Sequence, residues 1–98
     1  MKVKTKSGFV CEVNENKVKD WRYLRAAAKV AKADNQMDTV IGIAFMANFL
    51  LGDKDEERLI EHITDKEGVA DTTIFEAELQ EITTALGDAL KKSTPSQD

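Results

Sequence analysis

Apolar and polar positions alternate along the first thirteen residues. Val3 and Thr5 alternate with lysines in the first run, and Phe9, Cys11 and Val13 share one side of the second run. A period of two is typical of strands with one buried face. The Ser7-Gly8 pair between the two runs favours a tight turn, because glycine adopts positive φ without steric cost. We therefore predict an antiparallel β-hairpin over residues 2–13, with lysines along its edge to discourage uncontrolled pairing with other strands.

After a polar break, apolar residues recur at steps of three and four, which is typical of helices. The first predicted helix runs from Lys17 to about Ala33. Its apolar stripe contains Val18, Trp21, Leu24, Ala28 and Ala31. Because Trp21 lies on this stripe, we expect it in the core. Tyr23 lies off the stripe, so we expect it at the surface or at an interface.

A second predicted helix, residues 39–51, is apolar nearly all round. Asp38 is expected to cap its start, and Gly52 to end it. A helix without a polar face is either central to a core or pressed against another molecule. Both interpretations stay open. If the helix contacts another molecule, the candidate partner-binding residues are Tyr23, Phe45, Met46, Phe49 and Leu50.

Two further helices complete the pattern. The third covers residues 53–63, and the fourth covers residues 73–92 and opens with the spacing of a capping box. Residues 93–98 are expected to form a disordered tail. The predicted fold class is α+β and mostly α: an N-terminal β-hairpin followed by about four helices in one compact domain, residues 1–92.

The composition limits the class of protein. The chain has 98 residues, 42% hydrophobic and 33% charged, which suits one globular domain and is too apolar for a disordered chain. Its single cysteine, Cys11, excludes an intramolecular disulfide and fits a reducing compartment. The longest apolar stretch, residues 40–51, is well short of the ~20 residues that cross a bilayer. We expect a cytoplasmic protein without membrane contact.

The net charge of −4 conceals an asymmetry. Residues 1–36 contain nine Lys/Arg and four Asp/Glu, whereas residues 37–98 contain five and fourteen. Such a dipolar chain can attract copies of itself or steer a charged partner. The same charges are also what the solvated faces of amphipathic helices provide. The charge pattern therefore leaves a homo-oligomer and a simple solvated surface both open.

Few side chains are available for catalysis. His62 is followed closely by Asp65, but no nucleophile stands near it at a known motif spacing, so a surface histidine is the simpler interpretation. The acidic run at residues 53–57 lacks the ligand spacing of a calcium loop and instead suits a first helical turn. We expect no cofactor, no metal and no enzyme activity.

Basic residues of the first helix flank Trp21 and Tyr23 and provide groups that contact phosphates. The calculated pI is about 5.0, and no helix-turn-helix pattern is present. A nucleic-acid-associated regulator is therefore a minor alternative.

Five short segments form a further pattern: KVKTKSGF at residues 2–9, EVN at 12–14, DWRYL at 20–24, FLLG at 49–52 and DKEG at 65–68. Together they resemble the short tail assembly chaperones of siphophages and prophages, over roughly residues 2–90. The resemblance implies a non-catalytic chaperone that binds and solubilises the phage tape measure protein until tail tube subunits polymerise around it.

The resemblance also implies a set of partners. They are the tape measure protein, the tail tube protein and further copies of the chain, and the chaperone is not expected in the mature virion. Relatives are often extended by a frameshift near the 3′ end of the gene. Leu90-Lys91-Lys92 is a tripeptide that a slippery A-AAA-AAG run can encode, although two lysines there also complement a helix C-terminus. The alternative function is a small self-associating phage or bacterial adaptor.

Overall fold

In the computed structural model, the described residues are 1–93, and side-chain positions are described to residue 91. Two short strands, β1 (Lys2–Lys4) and β2 (Val10–Glu12), are followed by a single 3-10 turn at Glu15–Lys19. Three α-helices complete the order: α1 (Trp21–Lys32), α2 (Gln36–Ile63) and α3 (Thr72–Ser93). The mostly helical α+β architecture agrees with the prediction.

The hairpin has the predicted form. β1 and β2 pair antiparallel, with Val3 opposite Cys11. Gly8 has φ 97° in the turn between them, which is the conformation that favours glycine. The structure places Val3, Thr5, Phe9, Cys11 and Val13 on one side of the hairpin, where all five are buried. The buried hairpin face therefore supplies part of the core, as a two-stranded sheet requires for stability.

The first predicted helix begins later than expected. Asp20 has extended backbone angles and separates the 3-10 turn from α1. Its carboxylate accepts a hydrogen bond from the backbone N–H of Arg22 at 2.8 Å, which is the N-cap arrangement. The helix that was predicted from Lys17 is therefore two elements, because Asp20 caps the second of them.

We predicted about four helices, and the described residues contain three. The second and third predicted helices are one element, α2, which bends at Gly52 (φ 78°, ψ 166°) without an intervening loop. Asn48 bridges the bend, since its amide donates to Asp53 at 2.7 Å and to Glu56 at 3.0 Å. Gly52 thus interrupts the helical backbone as expected, but the chain continues directly into the next turns.

Two predicted helix caps are wrong. The side chain of Asn35, not Asp38, caps α2, by accepting from the backbone N–H of Asp38 at 2.8 Å. The predicted Thr73–Glu76 capping box is replaced by Asp71, which accepts from the backbone N–H of Thr73 at 2.8 Å. Each helix therefore begins earlier than predicted, since a suitable cap stands a few residues upstream. The predicted tail lies outside the described residues except for Ser93, which ends α3.

The core lies where the hairpin, the C-terminal part of α2 and α3 meet. Its largest fully buried side chains are Leu50, Leu59, Ile82 and Leu86. A polar contact attaches the hairpin to α3, because the buried Thr5 hydroxyl donates to Glu78 Oε1 at 2.7 Å and accepts from the backbone N–H of Phe9 at 3.2 Å. α1 contributes only Tyr23 to this cluster of buried residues. The rest of α1 packs elsewhere.

Candidate partner-binding groove

Helix α1 has two apolar stripes on different sides. One contains Trp21, Leu24, Ala28 and Ala31, and the other contains Tyr23, Ala26, Ala27 and Val30. The second stripe faces inward, since Tyr23 and Ala26 are each 7% exposed. The first stripe faces outward and leaves Trp21 71% exposed. The predicted positions of Trp21 and Tyr23 are therefore reversed.

The close approach of α1 to α2 explains this choice of face. A Cβ atom on Gly42 of α2 would lie 2.5 Å from Val30 Cγ2 and 3.5 Å from the backbone oxygen of Ala26. Because Gly42 has no side chain, the backbone of α2 can lie close to Ala26 and Val30 of α1.

Beside this contact, residues of the two helices line an open groove of about 770 Å³. Its apolar lining includes four large side chains that are substantially exposed: Trp21 (71%), Leu24 (47%), Ile41 (61%) and Phe45 (42%). A group of exposed apolar side chains on one concave surface is typical of a site that binds another molecule. We refer to the space lined by these four residues as the groove.

The α1 side of the groove is basic. Arg22, Arg25, Lys29 and Lys32 line it, and α1 contains no acidic residue. Two acidic residues, Asp34 and Asp38, lie at the end of the groove where the α1–α2 loop connects the helices. An apolar floor with a basic edge therefore faces the solvent.

At the other end of the groove, Phe45 and Arg22 take part in a series of side-chain contacts. Phe45 and Phe49 stack with ring centroids 5.8 Å apart, and the Arg22 guanidinium lies 5.0 Å from the Phe49 ring centroid. Asp20 holds Arg22 in a two-hydrogen-bond pair, with both N–O distances 3.0 Å. These hydrogen bonds, first from the Arg22 side chain and then from its backbone, lower the pKa of Asp20 to about 2. The groove wall at Phe45 is thus supported by neighbouring side chains.

The five predicted partner-binding residues do not form one surface. Phe45 is exposed in the groove, while Met46 and Phe49 are half-buried and packed against the core. Leu50 is 2% exposed and Tyr23 is buried, which raises the pKa of the Tyr23 phenol. The structure therefore brings only Phe45 of this set into a position to meet a partner.

Sequence reasoning missed three of the four groove residues: Trp21, Leu24 and Ile41. Trp21 and Leu24 were expected in the core because a single apolar stripe was traced along α1. The second stripe of α1, with Ala26, Ala27 and Val30, has the same helical spacing and is the alternative inward face that was not considered. Ile41 lies on a helix that is apolar nearly all round, so no local signal distinguishes it.

His62 has a hydroxyl partner that the sequence did not indicate. The Ser7 Oγ and His62 Nε2 atoms lie 2.9 Å apart on an exposed surface, and the His62 and Phe9 ring centroids are 5.5 Å apart. The neighbouring amides of Lys6, Gly8 and Phe9 donate to acceptors within the protein. The Ser7–His62 contact links the hairpin to α2.

The acidic run after Gly52 is engaged in local contacts. Asp53 and Glu56 accept from Asn48, and Asp55 forms an ion pair with Arg58 at 2.8 Å. Over the described part of the chain, no group of three or more metal-ligating side chains comes together. No helix within residues 1–93 is long and apolar enough to cross a membrane.

Comparison of the chain with protein-family models, curated proteins and solved structures found no match. The functional interpretation therefore depends on the groove itself and on the resemblance described above.

Proposed function

We propose that this chain is a non-catalytic phage tail assembly chaperone that binds a segment of the tape measure protein in the groove between α1 and α2. The observation that supports the proposal most directly is the set of four large apolar side chains that remain exposed there. A chaperone of this kind acts in the bacterial cytoplasm and leaves before the virion is complete.

The shape of the groove suits a helical client. The open space beside the contact of α1 with α2 suits a third helix, whose apolar residues at steps of three and four would meet the exposed apolar side chains there. The tape measure protein is a long, apolar chain, so it presents many such segments. A groove of this kind accepts different registers, because apolar contacts are non-directional.

The expected strength of one contact is modest. Full burial of one large apolar side chain contributes about 1.5–3 kcal/mol, and the four groove residues are already partly buried. After the cost of association, one groove is expected to bind in the micromolar to millimolar range. Many copies along one client would bind more firmly through avidity. Weak individual sites also let tail tube subunits displace the chaperone.

The experiment is coexpression with the tape measure protein of the same phage. The chain is expected to keep the tape measure protein soluble and to copurify with it. Ile41→Gln, which places a polar group in the groove, is expected to reduce both effects. Ile74→Gln is the matched control, because Ile74 is 49% exposed on α3 and lies outside the groove.

Two results contradict the proposal. One is a tape measure protein whose solubility does not change with the chain. The other is an equal loss of binding in Ile41→Gln and Ile74→Gln, since this would place the contact elsewhere. A small self-associating adaptor is the alternative, and it predicts assembly of the chain without any effect on the client.

A further inference from the structure

We infer that the segment bound in the groove is an acidic amphipathic helix, with its apolar residues on the groove floor and its carboxylates along α1. This inference depends on the proposed function, because it specifies the chemistry of the client at the same site. It follows from the charge, pairing and length of α1.

The charges along α1 are not balanced within the described residues. Arg25, Lys29 and Lys32 are exposed, and no ion pair involves any of the three in this part of the chain. Only Arg22 has an acidic partner, Asp20. A partner with carboxylates at matching positions would therefore gain contacts that the chain does not provide for itself.

The spacing of these charges suits a helix. Arg25, Lys29 and Lys32 are separated by four and three residues, so they form a row along one side of α1. The twelve residues of α1 extend ~18 Å at the usual rise per residue, which is about three turns of a partner helix. Carboxylates that also repeat at steps of three and four would lie opposite this row.

The composition of the groove favours an acidic peptide over nucleic acid. Phosphate backbones are bound mainly by cations, whereas this basic row stands beside an apolar floor of Leu24, Ile41 and Phe45. Asp34 and Asp38 lie at the end of the groove and would repel a continuous phosphate chain. A helix of limited length avoids them or ends before them.

The test uses two synthetic helical peptides of eighteen residues. They share one leucine stripe, and their polar faces carry either glutamate or lysine. Trp21 is the only tryptophan of the chain and lies in the groove, so its emission reports occupancy directly. We expect the glutamate peptide to shift Trp21 emission to shorter wavelength and to bind about tenfold more tightly than the lysine peptide at low salt.

Salt and substitution then separate charge from apolar contact. The preference is expected to disappear at 1 M salt, where the screening length falls to about 3 Å. The combined variant Arg25→Gln, Lys29→Gln and Lys32→Gln is expected to lose the tenfold preference. The matched control is Lys2→Gln, Lys4→Gln and Lys6→Gln, which changes the net charge equally on the exposed hairpin and is expected to keep the preference.

Each other outcome overturns the inference. Equal binding of both peptides means that the groove does not select charge, although the proposed chaperone function then still stands. If neither peptide binds, the groove is not a binding site for helices, and both proposals are contradicted. A labelled DNA oligonucleotide that binds more tightly than the glutamate peptide would assign the basic row to nucleic acid. Trp21 emission that shifts with protein concentration alone would assign the groove to a second copy of the chain.

Discussion

The two ends of α2 lie in different environments. Its C-terminal part packs with the hairpin and α3 around Leu50 and Leu59, and these side chains are 2% and 0% exposed. Its N-terminal part contacts α1 through Gly42 and leaves Met37 and Ile41 more than 60% exposed. α2, which is interrupted at Gly52, thus belongs both to a closed core and to an open pair of helices, which we call the arm (residues 24–46).

The difference follows from the size of the side chains at each contact. Large residues from several elements fill the core, whereas the arm has Ala26, Val30 and Gly42 at its close helix contact. Close backbone contact therefore leaves the larger apolar residues of the arm outside. The core contains the fully buried side chains, and the arm contains the exposed groove that we propose as the binding surface.

The largest expected effect is a difference in stability between one substitution in the core and a matched substitution in the arm. Leu59→Ala is expected to lower the free energy of unfolding by about 2–5 kcal/mol, because it creates a cavity among fully buried side chains. Leu24→Ala is the matched substitution in the arm, and it is expected to change stability by less than about 0.5 kcal/mol because Leu24 is 47% exposed. Urea denaturation of both variants measures this, and equal losses would mean that the arm belongs to the core.

A smaller effect is expected at the helix contact of the arm. Gly42→Ala is expected to lower the free energy of unfolding by about 1–3 kcal/mol, since the new methyl group would overlap the stiff Val30 side chain. Gly87→Ala is the control in α3, where nothing lies within 4 Å of an added Cβ. This control is expected to gain about 0.5–1 kcal/mol from helix propensity.

A double variant sharpens the same comparison. Val30→Ala in the Gly42→Ala background is expected to recover part of the lost stability, because it removes the methyl group that the new Cβ meets. Thermal unfolding followed by circular dichroism measures each variant. If Gly42→Ala behaved like Gly87→Ala, the close contact would not be what positions α1.

The smallest expected effect concerns Asp20, which caps α1 where the arm leaves the core. The pKa of Asp20 is lowered to about 2 by hydrogen bonds from Arg22, below its ordinary value of 3.8. Because the folded-state pKa is lowered, its stabilising contribution is complete above the ordinary value and is lost as the pH falls through about 2. An NMR titration of the Asp20 carboxyl carbon is expected to give a midpoint near 2.

The control for this titration is Arg22→Gln, which removes the guanidinium and keeps the backbone cap. Its midpoint is expected to move back toward 3.8. A wild-type midpoint already at 3.8 would mean that Arg22 is not held by Asp20 in solution and does not support Phe49 at the groove wall.

The sequence predicts more of the fold than of the groove. The hairpin and the position of the bend at Gly52 follow from local signals: a period of two, and a glycine after an apolar run. In the groove, only Phe45 was selected from the sequence. Met46, Phe49 and Leu50 share its apolar helix, and nothing in a helix that is apolar all round indicates which side faces the core.

The sequence by itself determined the N-terminal hairpin, the mostly helical remainder and the break at Gly52, because turn residues and hydrophobic period act over a few neighbouring positions. It also determined that the first helix is basic and free of acidic residues. The tertiary structure alone decided which of the two α1 stripes is buried. Both stripes have helical spacing, and the stripe that faces inward is the one with Ala26 and Val30 against Gly42. With this stripe inward, Tyr23 is buried, Trp21 is exposed and the other stripe lines the groove.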